Sequence, residues 1–227
     1  MTASAIGVIG TGRIGRAIAT LAVKHGHPVV LSNSRGPESL RSLVAELGPL
    51  ASSDTASGAA KRGDIVVIAV PFSAIDALPA TDLAGKIVLD ASNYYALRDG
   101  VIPVVEGDRV PTSAHVQQSL PEALVVKAFN HIVWSDIPAD ARLAGSSGRR
   151  GIAVAGDEIE SKQRVADFVD EIGFDPVDIG SLADSWRIQL GSPGWITNYT
   201  ADELRDKIRE ADSWHSARQA RAERSTT

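Results

Sequence analysis

The stretch Ile6-Gly7-Val8-Ile9-Gly10-Thr11-Gly12-Arg13-Ile14-Gly15 stands near the start of the chain and decides the fold. Its apolar beginning predicts a buried strand, and a glycine-rich turn follows at once. After the turn, apolar residues recur at helical spacing, namely Ile14, Ala17, Ile18, Leu21 and Ala22. We therefore predict a strand, a turn and a helix within the first thirty residues, the order that a dinucleotide-binding unit requires.

Each glycine of this turn has a separate role in such a unit. Gly10 permits the tight turn, Gly12 lets the backbone approach a pyrophosphate, and Gly15 lets the helix pack close to the strand. The N-terminus of the helix adds free N–H groups and a partial positive charge, which favour phosphate. A merely structural turn is the alternative, since glycine-rich turns are common. The order of strand, turn and helix favours the nucleotide site.

The end of the second predicted strand distinguishes one dinucleotide from another. The strand 29–31 is followed by Ser32-Asn33-Ser34-Arg35, and no acidic residue occurs from 29 to 37. NAD enzymes usually place an Asp or Glu there, and that carboxylate would repel a 2′-phosphate. Arg35 can make paired, charge-assisted bonds to phosphate, and Ser34 can donate a further one. We predict NADP rather than NAD, with a solvent-facing polar turn as the alternative.

Strand and helix patterns alternate along most of the chain. Apolar runs at 65–70, 86–90 and 124–130 predict further strands, and the first of them is typical of a central parallel strand. Short connections separate these strands from helical patterns. We therefore predict an α/β fold, a Rossmann-type doubly wound parallel sheet with a small C-terminal α/β extension.

The segment 145–151 is polar and rich in glycine, and it predicts a linker. A second phosphate loop is the alternative, but such a loop should follow a strand and open a helix, and this segment does neither. Beyond it we predict helices at 158–172, 182–190 and 200–211, and a strand at 174–177. The predicted domains are an NADP-binding Rossmann domain (1–145), a small C-terminal domain (151–212) and a polar, disordered tail (213–227).

Composition narrows the functional classes. The net charge of −5 argues against a nucleic-acid surface, which would be basic and clustered. The absence of cysteine removes disulfides, thiolate metal sites and a cysteine nucleophile, and no histidine pair has the spacing of a metal site. The apolar run 65–72 is too short to span a bilayer, and no basic segment precedes the first strand. We expect a cytoplasmic protein that binds neither membrane nor metal.

Five short segments carry a resemblance to a known family. They are Gly10-Thr11-Gly12-Arg13-Ile14-Gly15, Ser32-Asn33-Ser34-Arg35, Ala69-Val70-Pro71-Phe72, Asp90-Ala91-Ser92-Asn93 and Val125-Val126-Lys127-Ala128-Phe129-Asn130. In them the chain resembles the NADP oxidoreductases dependent on coenzyme F420, and the N-terminal domains of the six-transmembrane metalloreductases. The likeness continues to 178–186, where Gly180-Ser181-Leu182-Ala183 is far more specific than the glycine loop.

The resemblance implies a set of cofactor contacts along the strand ends. Pro71 and Phe72 would border the cofactor beyond its pyrophosphate, and Asn93, Ala128 and Asn130 would lie near the nicotinamide. The full expected set is Gly10, Thr11, Gly12, Arg13, Ile14, Gly15, Ser32, Asn33, Ser34, Arg35, Ala69, Val70, Pro71, Phe72, Asn93, Ala128 and Asn130. A homodimer is also implied.

The resemblance further implies a second ring, coenzyme F420 or a flavin, stacked on the nicotinamide. The turn Asn130-His131-Ile132 would align it and Trp186 would close the far side, so His131, Ile132 and Trp186 form the expected second-substrate pocket. A supporting role is the alternative for His131, and core packing is the alternative for Trp186. Lys127 is interpreted as structural or as the partner of a charge.

No catalytic acid–base pair is evident in the sequence. Reduction of a carbonyl needs a proton donor beside the hydride acceptor, whereas hydride transfer between two cofactor rings needs mainly their alignment. We therefore expect an NADP(H)-dependent oxidoreductase that exchanges a hydride with coenzyme F420 or a flavin-like acceptor, a small-molecule partner. The alternatives are a reductase of a small imine or carbonyl, with His131 or a C-terminal tyrosine as donor, and a non-catalytic NADP-binding redox sensor.

Overall fold

One eight-stranded sheet runs through the computed structural model, which describes residues 3–105, 110–196 and 198–212. The strands are β1 (Ile6–Ile9), β2 (Val29–Ser32), β3 (Ala51–Ser53), β4 (Ile65–Ile68), β5 (Ile87–Asp90), β6 (Leu124–Lys127), β7 (Gly151–Gly156) and β8 (Asp175–Asp178). Their spatial order is β3-β2-β1-β4-β5-β6-β7-β8.

Helices connect these strands. They are α1 (Arg13–Lys24), α2 (Arg41–Leu47), α3 (Ala56–Arg62), α4 (Ala80–Leu83), α5 (Ala96–Asp99), α6 (Thr112–Ser119), α7 (Asp136–Asp140), α8 (Ile159–Glu171) and α9 (201–212). Among the residues that the structure describes, 3₁₀ segments cover Pro37–Leu40, Phe72–Ala77 and Leu182–Ile188. Within the described ranges, no helix combines the length and the apolarity that crossing a membrane requires.

The strand order confirms the predicted fold class. Strands β1 to β6 pair with one another in parallel orientation, and the chain moves outward from β1 to β3 before β4 returns to the other side of β1. This reversal is the switch point of a doubly wound sheet, where such folds bind ligands. Strands β1, β2 and β4 are buried throughout, which explains their continuous apolar runs.

The sheet continues into the C-terminal part of the chain. Val126 and Lys127 of β6 pair with Gly156 and Ala155 of β7 in antiparallel orientation, and β8 is parallel to β7. Residues 1–145 and 151–212 thus share one sheet. The division into two domains stays a prediction, and the predicted tail 213–227 lies outside the described residues.

Two apolar cores cover the faces of the sheet. One contains α1, β7 and α8 and is anchored by large side chains such as Leu21, Phe129, Phe168 and Phe174. The other contains α3, the 3₁₀ segment at Phe72 and α6. The cores cover the faces of the sheet, and the loops that follow β1, β4, β5 and β6 lie at its carboxyl edge.

Two predicted helices are 3₁₀ segments in the structure. After β4, the spacing of Ile75 and Leu78 in the sequence predicts a helix, but the 3₁₀ segment stops at Ala77 because Leu78 precedes a proline and is extended, with ψ of 151°. The helix expected at 182–190 is a 3₁₀ segment that begins with a capping box between Ser181 and Asp184. The carbonyl of Ile188, the last residue of this segment, accepts a hydrogen bond from Asn130 Nδ2.

Candidate functional site

The ends of four parallel strands meet at one edge of the sheet. Ile9, Ile68, Asp90 and Lys127 are in register on β1, β4, β5 and β6. The backbone bonding continues one residue further, since the N–H of Ala69 donates to the carbonyl of Ile9 at 2.9 Å. The four following loops therefore start side by side, although they are far apart in the sequence.

The glycine turn after β1 has the geometry that a dinucleotide loop needs. Gly10 has φ of +100°, and a Cβ there would lie 2.5 Å from the carbonyl oxygen of Ala69. A Cβ on Gly15 would lie 1.9 Å from the carbonyl oxygen of Gly10, so α1 packs directly on the turn. A Cβ on Gly12 would meet no atom within 4 Å, so the space above Gly12 is open. No side chain caps the N-terminus of α1, which leaves its N–H groups available to an anion.

The polar residues at the end of β2 differ in exposure: Ser32 is buried and supports the turn, whereas Ser34 and Arg35 are exposed. Ser32 is buried and its hydroxyl donates to the carbonyl of Val8 at 3.0 Å. Asn33 Oδ1 accepts the N–H of Arg35 at 2.9 Å and so shapes the turn. Ser34 and Arg35 are exposed, and in the described part of the chain no carboxylate lies within ion-pair distance of the Arg35 guanidinium.

A cleft of about 480 Å³ opens at the strand ends. Its lining residues are Arg13, Ile14, Ala69, Val70, Pro71, Ala91, Ser92, Asn93, Tyr95, Arg98, Asn130, Ile132, Val133, Trp134, Trp195 and Ile196. Eight of them were expected from the sequence, namely Arg13, Ile14, Ala69, Val70, Pro71, Asn93, Asn130 and Ile132. The cleft thus unites loops from five separate parts of the chain.

Two expected cofactor contacts lie behind the cleft wall. Phe72 is buried and its ring packs against Tyr94 and His115, with centroids 5.6 Å and 5.5 Å away. Ala128 is also fully buried. Their side chains support the wall from the interior.

His131 does not lie in the cleft. It is 1% exposed, and its Nε2 accepts the N–H of Ala153 on β7 at 3.0 Å. A neutral imidazole that accepts at Nε2 carries its proton on Nδ1. Burial lowers the pKa of His131 to about 3, and the positive charges of Arg150 and Lys127 act in the same direction. The imidazole is therefore a neutral part of the interior, between β6 and β7.

Trp186 also lies outside the cleft lining, and its ring is stacked by the guanidinium of Arg187 at 4.8 Å. The C-terminal aromatic residue that lines the cleft is Trp195. Trp186 lies within the 3₁₀ segment Leu182–Ile188 and Trp195 follows it by seven residues, so nearness in the sequence does not distinguish them.

Two cation–aromatic pairs, which the sequence did not reveal, border the cleft. The guanidinium of Arg13 lies 5.2 Å from the ring centroid of Trp134, and that of Arg98 lies 4.8 Å from the ring of Tyr95. Burial raises the pKa of the Tyr95 phenol, which stays neutral. The one available signal was position, since Tyr95 and Trp134 closely follow predicted strands.

A buried ion pair lies under the floor of the cleft. Asp90 Oδ2 and Lys127 Nζ are 3.0 Å apart, and both side chains are completely buried. Asp90 Oδ1 accepts the N–H and the hydroxyl of Ser92 at 2.9 Å and 2.6 Å, while Lys127 donates to the Ser92 carbonyl at 2.6 Å. Burial lowers the pKa of the Lys127 ammonium, and the Asp90 carboxylate opposes that change.

Asn130 lines the cleft and has one unused hydrogen-bond acceptor. Its Nδ2 donates to the carbonyl of Ile188 at 2.8 Å, and its own carbonyl accepts from Asn93 Nδ2 at 2.8 Å. The bond to Ile188 requires an N–H donor and so fixes the orientation of the carboxamide. Asn130 Oδ1 is buried and has no hydrogen-bond partner among the described residues. A buried acceptor of this kind favours a ligand N–H.

The backbone at this turn is strained. Phe129 has φ of +60°, a left-handed conformation that L residues with bulky side chains rarely adopt. The Phe129 ring packs against Phe174 in the core, with centroids 5.6 Å apart. Packing therefore holds the turn that carries Asn130 in a single conformation.

The cleft has few titratable groups. Among the described lining residues they are Tyr95, Arg13 and Arg98, and none is a histidine, lysine, aspartate or glutamate. No group of three histidine or carboxylate side chains in the described ranges could hold a metal ion. The arrangement can bind anions at its rim and planar rings at its walls.

Comparison with known proteins connects this geometry to a family. The sequence model of the family described as NADP oxidoreductase coenzyme F420-dependent matches residues 5–94. A hypothetical protein from Sinorhizobium meliloti has a solved structure with 31% sequence identity and a TM-score of 0.75, covering 86% of this chain and 94% of that chain.

Two further relatives are named for an activity. A proposed F420-dependent NADP reductase from Arthrobacter sp. is 27% identical, with a TM-score of 0.67, and the match covers 80% of this chain and 87% of that chain. Metalloreductase STEAP3 from Rattus norvegicus is 29% identical over 188 residues, 81% of this chain. The chain spans only 35% of the length of that metalloreductase.

Proposed function

Because the chain belongs to the family of NADP oxidoreductases described as coenzyme F420-dependent, we propose that it transfers a hydride between NADP(H) and coenzyme F420 or a flavin-like acceptor. NADP(H) supplies the hydride at its nicotinamide ring. The residues of this chain bind, orient and enclose the two rings.

The glycine turn holds the pyrophosphate of the dinucleotide, and the end of β2 holds its 2′-phosphate. The backbone from Gly10 to Gly15, with Thr11 and Arg13, contacts the pyrophosphate, and the open space above Gly12 supports this assignment. Ser34 and Arg35 bind the 2′-phosphate, supported by the exposed Arg35 guanidinium. Ser32 and Asn33 shape this turn through their internal hydrogen bonds.

Asn130 carries the proposal at the nicotinamide end. Its Oδ1 is a buried acceptor without a partner in the described chain, and Asn130 lines the cleft. The carboxamide of a nicotinamide ring offers the N–H that this oxygen lacks. Asn93 and Ile188 hold Asn130 in place for that contact.

The walls of the cleft favour a ring as the second substrate. Tyr95, Trp134 and Trp195 are aromatic lining residues, and aromatic faces stack on planar ligands. The described lining offers no carboxylate, lysine or histidine as an acid–base catalyst, and ring-to-ring hydride transfer needs chiefly alignment.

A panel of acceptors tests the proposed function. Purified protein is mixed with NADPH and either coenzyme F420, FMN or a set of small imines and carbonyls, and the loss of NADPH absorbance is followed. We expect turnover with a ring acceptor only. Binding of NADPH without turnover of any acceptor would instead support the redox sensor.

One observation favours the reduction of a small imine or carbonyl as a second candidate. Tyr95 lines the cleft and stays neutral, so its phenol can donate a proton. His131 lies in the interior, and Tyr199 packs against a third apolar cluster that includes Val177 and Leu204, so neither is among the lining residues of the cleft. Turnover of an imine or carbonyl that Tyr95→Phe abolishes would establish this candidate.

The homodimer and the cytoplasmic location stay predictions.

A further inference from the structure

The buried pair of Asp90 and Lys127 calls for an explanation beyond stability. The two residues stand directly opposite each other on β5 and β6, and neither side chain is exposed. Two buried charges lose their hydration, so an apolar pair of similar volume is often as stable or more stable. The charged pair makes hydrogen bonds to Ser92, which an apolar pair could not make.

The pair holds every backbone and side-chain polar group of Ser92. The Asp90 carboxylate accepts the N–H and the hydroxyl of Ser92, and the Lys127 ammonium donates to its carbonyl. Ser92 lines the cleft and immediately precedes Asn93. The first residues after β5 therefore have a defined path along the cleft floor.

Asn93 connects this segment to Asn130, at the proposed nicotinamide end of the cleft. Its Nδ2 donates to the carbonyl of Asn130 at 2.8 Å, and its Oδ1 lies 3.4 Å from Asn130 Nδ2. The second anchor of Asn130 is the carbonyl of Ile188 from the C-terminal part of the chain. The chain of contacts ends at Asn130 Oδ1, which has no partner among the described residues.

We propose that Asp90 and Lys127 position Asn130 through Ser92 and Asn93, so that Asn130 Oδ1 meets the nicotinamide carboxamide. This inference rests on the proposed function and names the residues that give its nicotinamide site a defined geometry. Lys127 and Asp90 touch no ligand, since both are completely buried. They are positioning residues.

The test compares two ligands that differ only at the nicotinamide end. NADPH and 2′-phospho-ADP-ribose share the phosphates, and only NADPH carries the nicotinamide. Their affinities are measured by titration calorimetry for the wild type and for D90N/K127M, which replaces the charged pair by neutral side chains of similar size. Lys127→Met alone leaves a buried carboxylate unpaired and can fail to fold, so the double variant is the informative one.

Lys86, which lies just before β5, provides a control lysine. Lys86 precedes β5 and its Nζ donates to the carbonyls of Lys61 and Gly63 at 3.0 Å each, at the opposite edge of the sheet. Lys86→Met removes a lysine that bonds backbone carbonyls without touching the cleft. It should leave both affinities unchanged.

We expect D90N/K127M to bind NADPH about tenfold more weakly, as for the loss of one well-formed buried hydrogen bond. Its affinity for 2′-phospho-ADP-ribose should stay within about twofold of the wild type, because the phosphate sites lie on other loops. Asn130→Ala should reproduce the loss, and adding it to D90N/K127M should cause no further loss, since all three residues act through one contact.

Two results would overturn the inference. If folded D90N/K127M retains the wild-type preference for NADPH, the ion pair does not position Asn130. If both ligands weaken together, the pair supports the whole nucleotide site and not the nicotinamide end. A failure of the proposed function looks different, because the wild type itself would then bind neither ligand or would not distinguish them.

Discussion

At the scale of single residues, we predict that Arg35 decides the choice between NADP and NAD. Arg35→Ala removes an exposed guanidinium that has no carboxylate partner in the described structure. We expect a ten- to hundredfold weaker affinity for NADPH, about 1.5–3 kcal/mol for charge-assisted bonds, and an unchanged affinity for NADH. Fluorescence titration with both nucleotides measures this difference.

Arg41→Ala is the matched control for Arg35→Ala. Arg41 is equally exposed and close in sequence, but it forms an ion pair with Glu38 on the helix surface. Its loss should leave both affinities unchanged. Equal losses for NADPH and NADH in Arg35→Ala would remove Arg35 from the 2′-phosphate site.

His131 makes the stability of the protein depend on pH. Its pKa is about 3 in the folded protein and near 6.5 in the unfolded chain. Below pH 6.5 the unfolded chain binds a proton at His131 that the folded protein does not bind. The contribution of the neutral His131 to the free energy of unfolding is therefore fully present above pH 6.5 and is lost as the pH falls toward 3. The expected slope is about 1.4 kcal/mol per pH unit.

His131→Gln tests this dependence, since glutamine keeps a side-chain oxygen that can accept the N–H of Ala153. Urea unfolding between pH 7 and pH 4 should give a lower free energy of unfolding at pH 7 but a shallower decline toward acid. A decline parallel to that of the wild type would show that His131 is protonated in the folded protein.

At the scale of elements, the glycine turn and α1 form one unit whose two glycines act differently. Gly15→Ala places a Cβ against the carbonyl of Gly10, so we expect a loss of about 1–3 kcal/mol in stability together with weaker binding of NADPH and NADH alike. Gly12→Ala meets no atom in the free protein. It should keep the wild-type Tm but lose dinucleotide affinity, because its Cβ occupies the space of the pyrophosphate.

Thermal melts and NADPH titrations of the two alanine variants separate these effects. A Gly12→Ala protein that binds NADPH normally would show that the pyrophosphate does not lie over this turn. A Gly15→Ala protein with wild-type Tm would show that α1 can move away from β1 without loss.

The element scale also shows how strand direction is decided. The alternation of strands and helices predicted the parallel strands correctly, because a helix between two strands returns the chain to the same edge. The run before β7 is mostly loop with the short helix α7, and β7 pairs antiparallel to β6. No local pattern in β7 distinguishes the two directions.

At the scale of the whole molecule, we expect one cooperative unfolding transition. One apolar core contains residues from β1 to Phe174, β6 pairs with β7, and Arg149 is buried between Asp170 and Asp175. The parts 1–145 and 151–212 thus share a sheet and a core, and each would expose apolar surface without the other.

Variants that keep a single tryptophan test this cooperativity. Trp134 reports on residues 1–145 and Trp186 reports on residues 151–212. Their fluorescence should change at the same midpoint of urea unfolding, and far-UV circular dichroism should agree with both. Two separate midpoints would show that the predicted domains are independent folding units.

The sequence by itself determined the glycine turn between β1 and α1, the parallel sheet and the family. The comparisons and the structure confirm the family and the fold class. These features are encoded locally, in glycine spacing, in apolar runs and in the residues that follow each strand. Eight lining residues of the cleft were expected in advance, two of them from the glycine turn and six from the family resemblance.

Only the tertiary structure decided which side chains face the cleft. His131 directly follows Asn130, yet it lies in the interior against β7, while Asn130 lines the cleft and is held by Ile188, 58 residues away. Tyr95, Trp134 and Trp195 reach the same cleft from three separate loops. The direction of a side chain in a loop depends on packing against distant parts of the chain, and no periodic pattern records that packing.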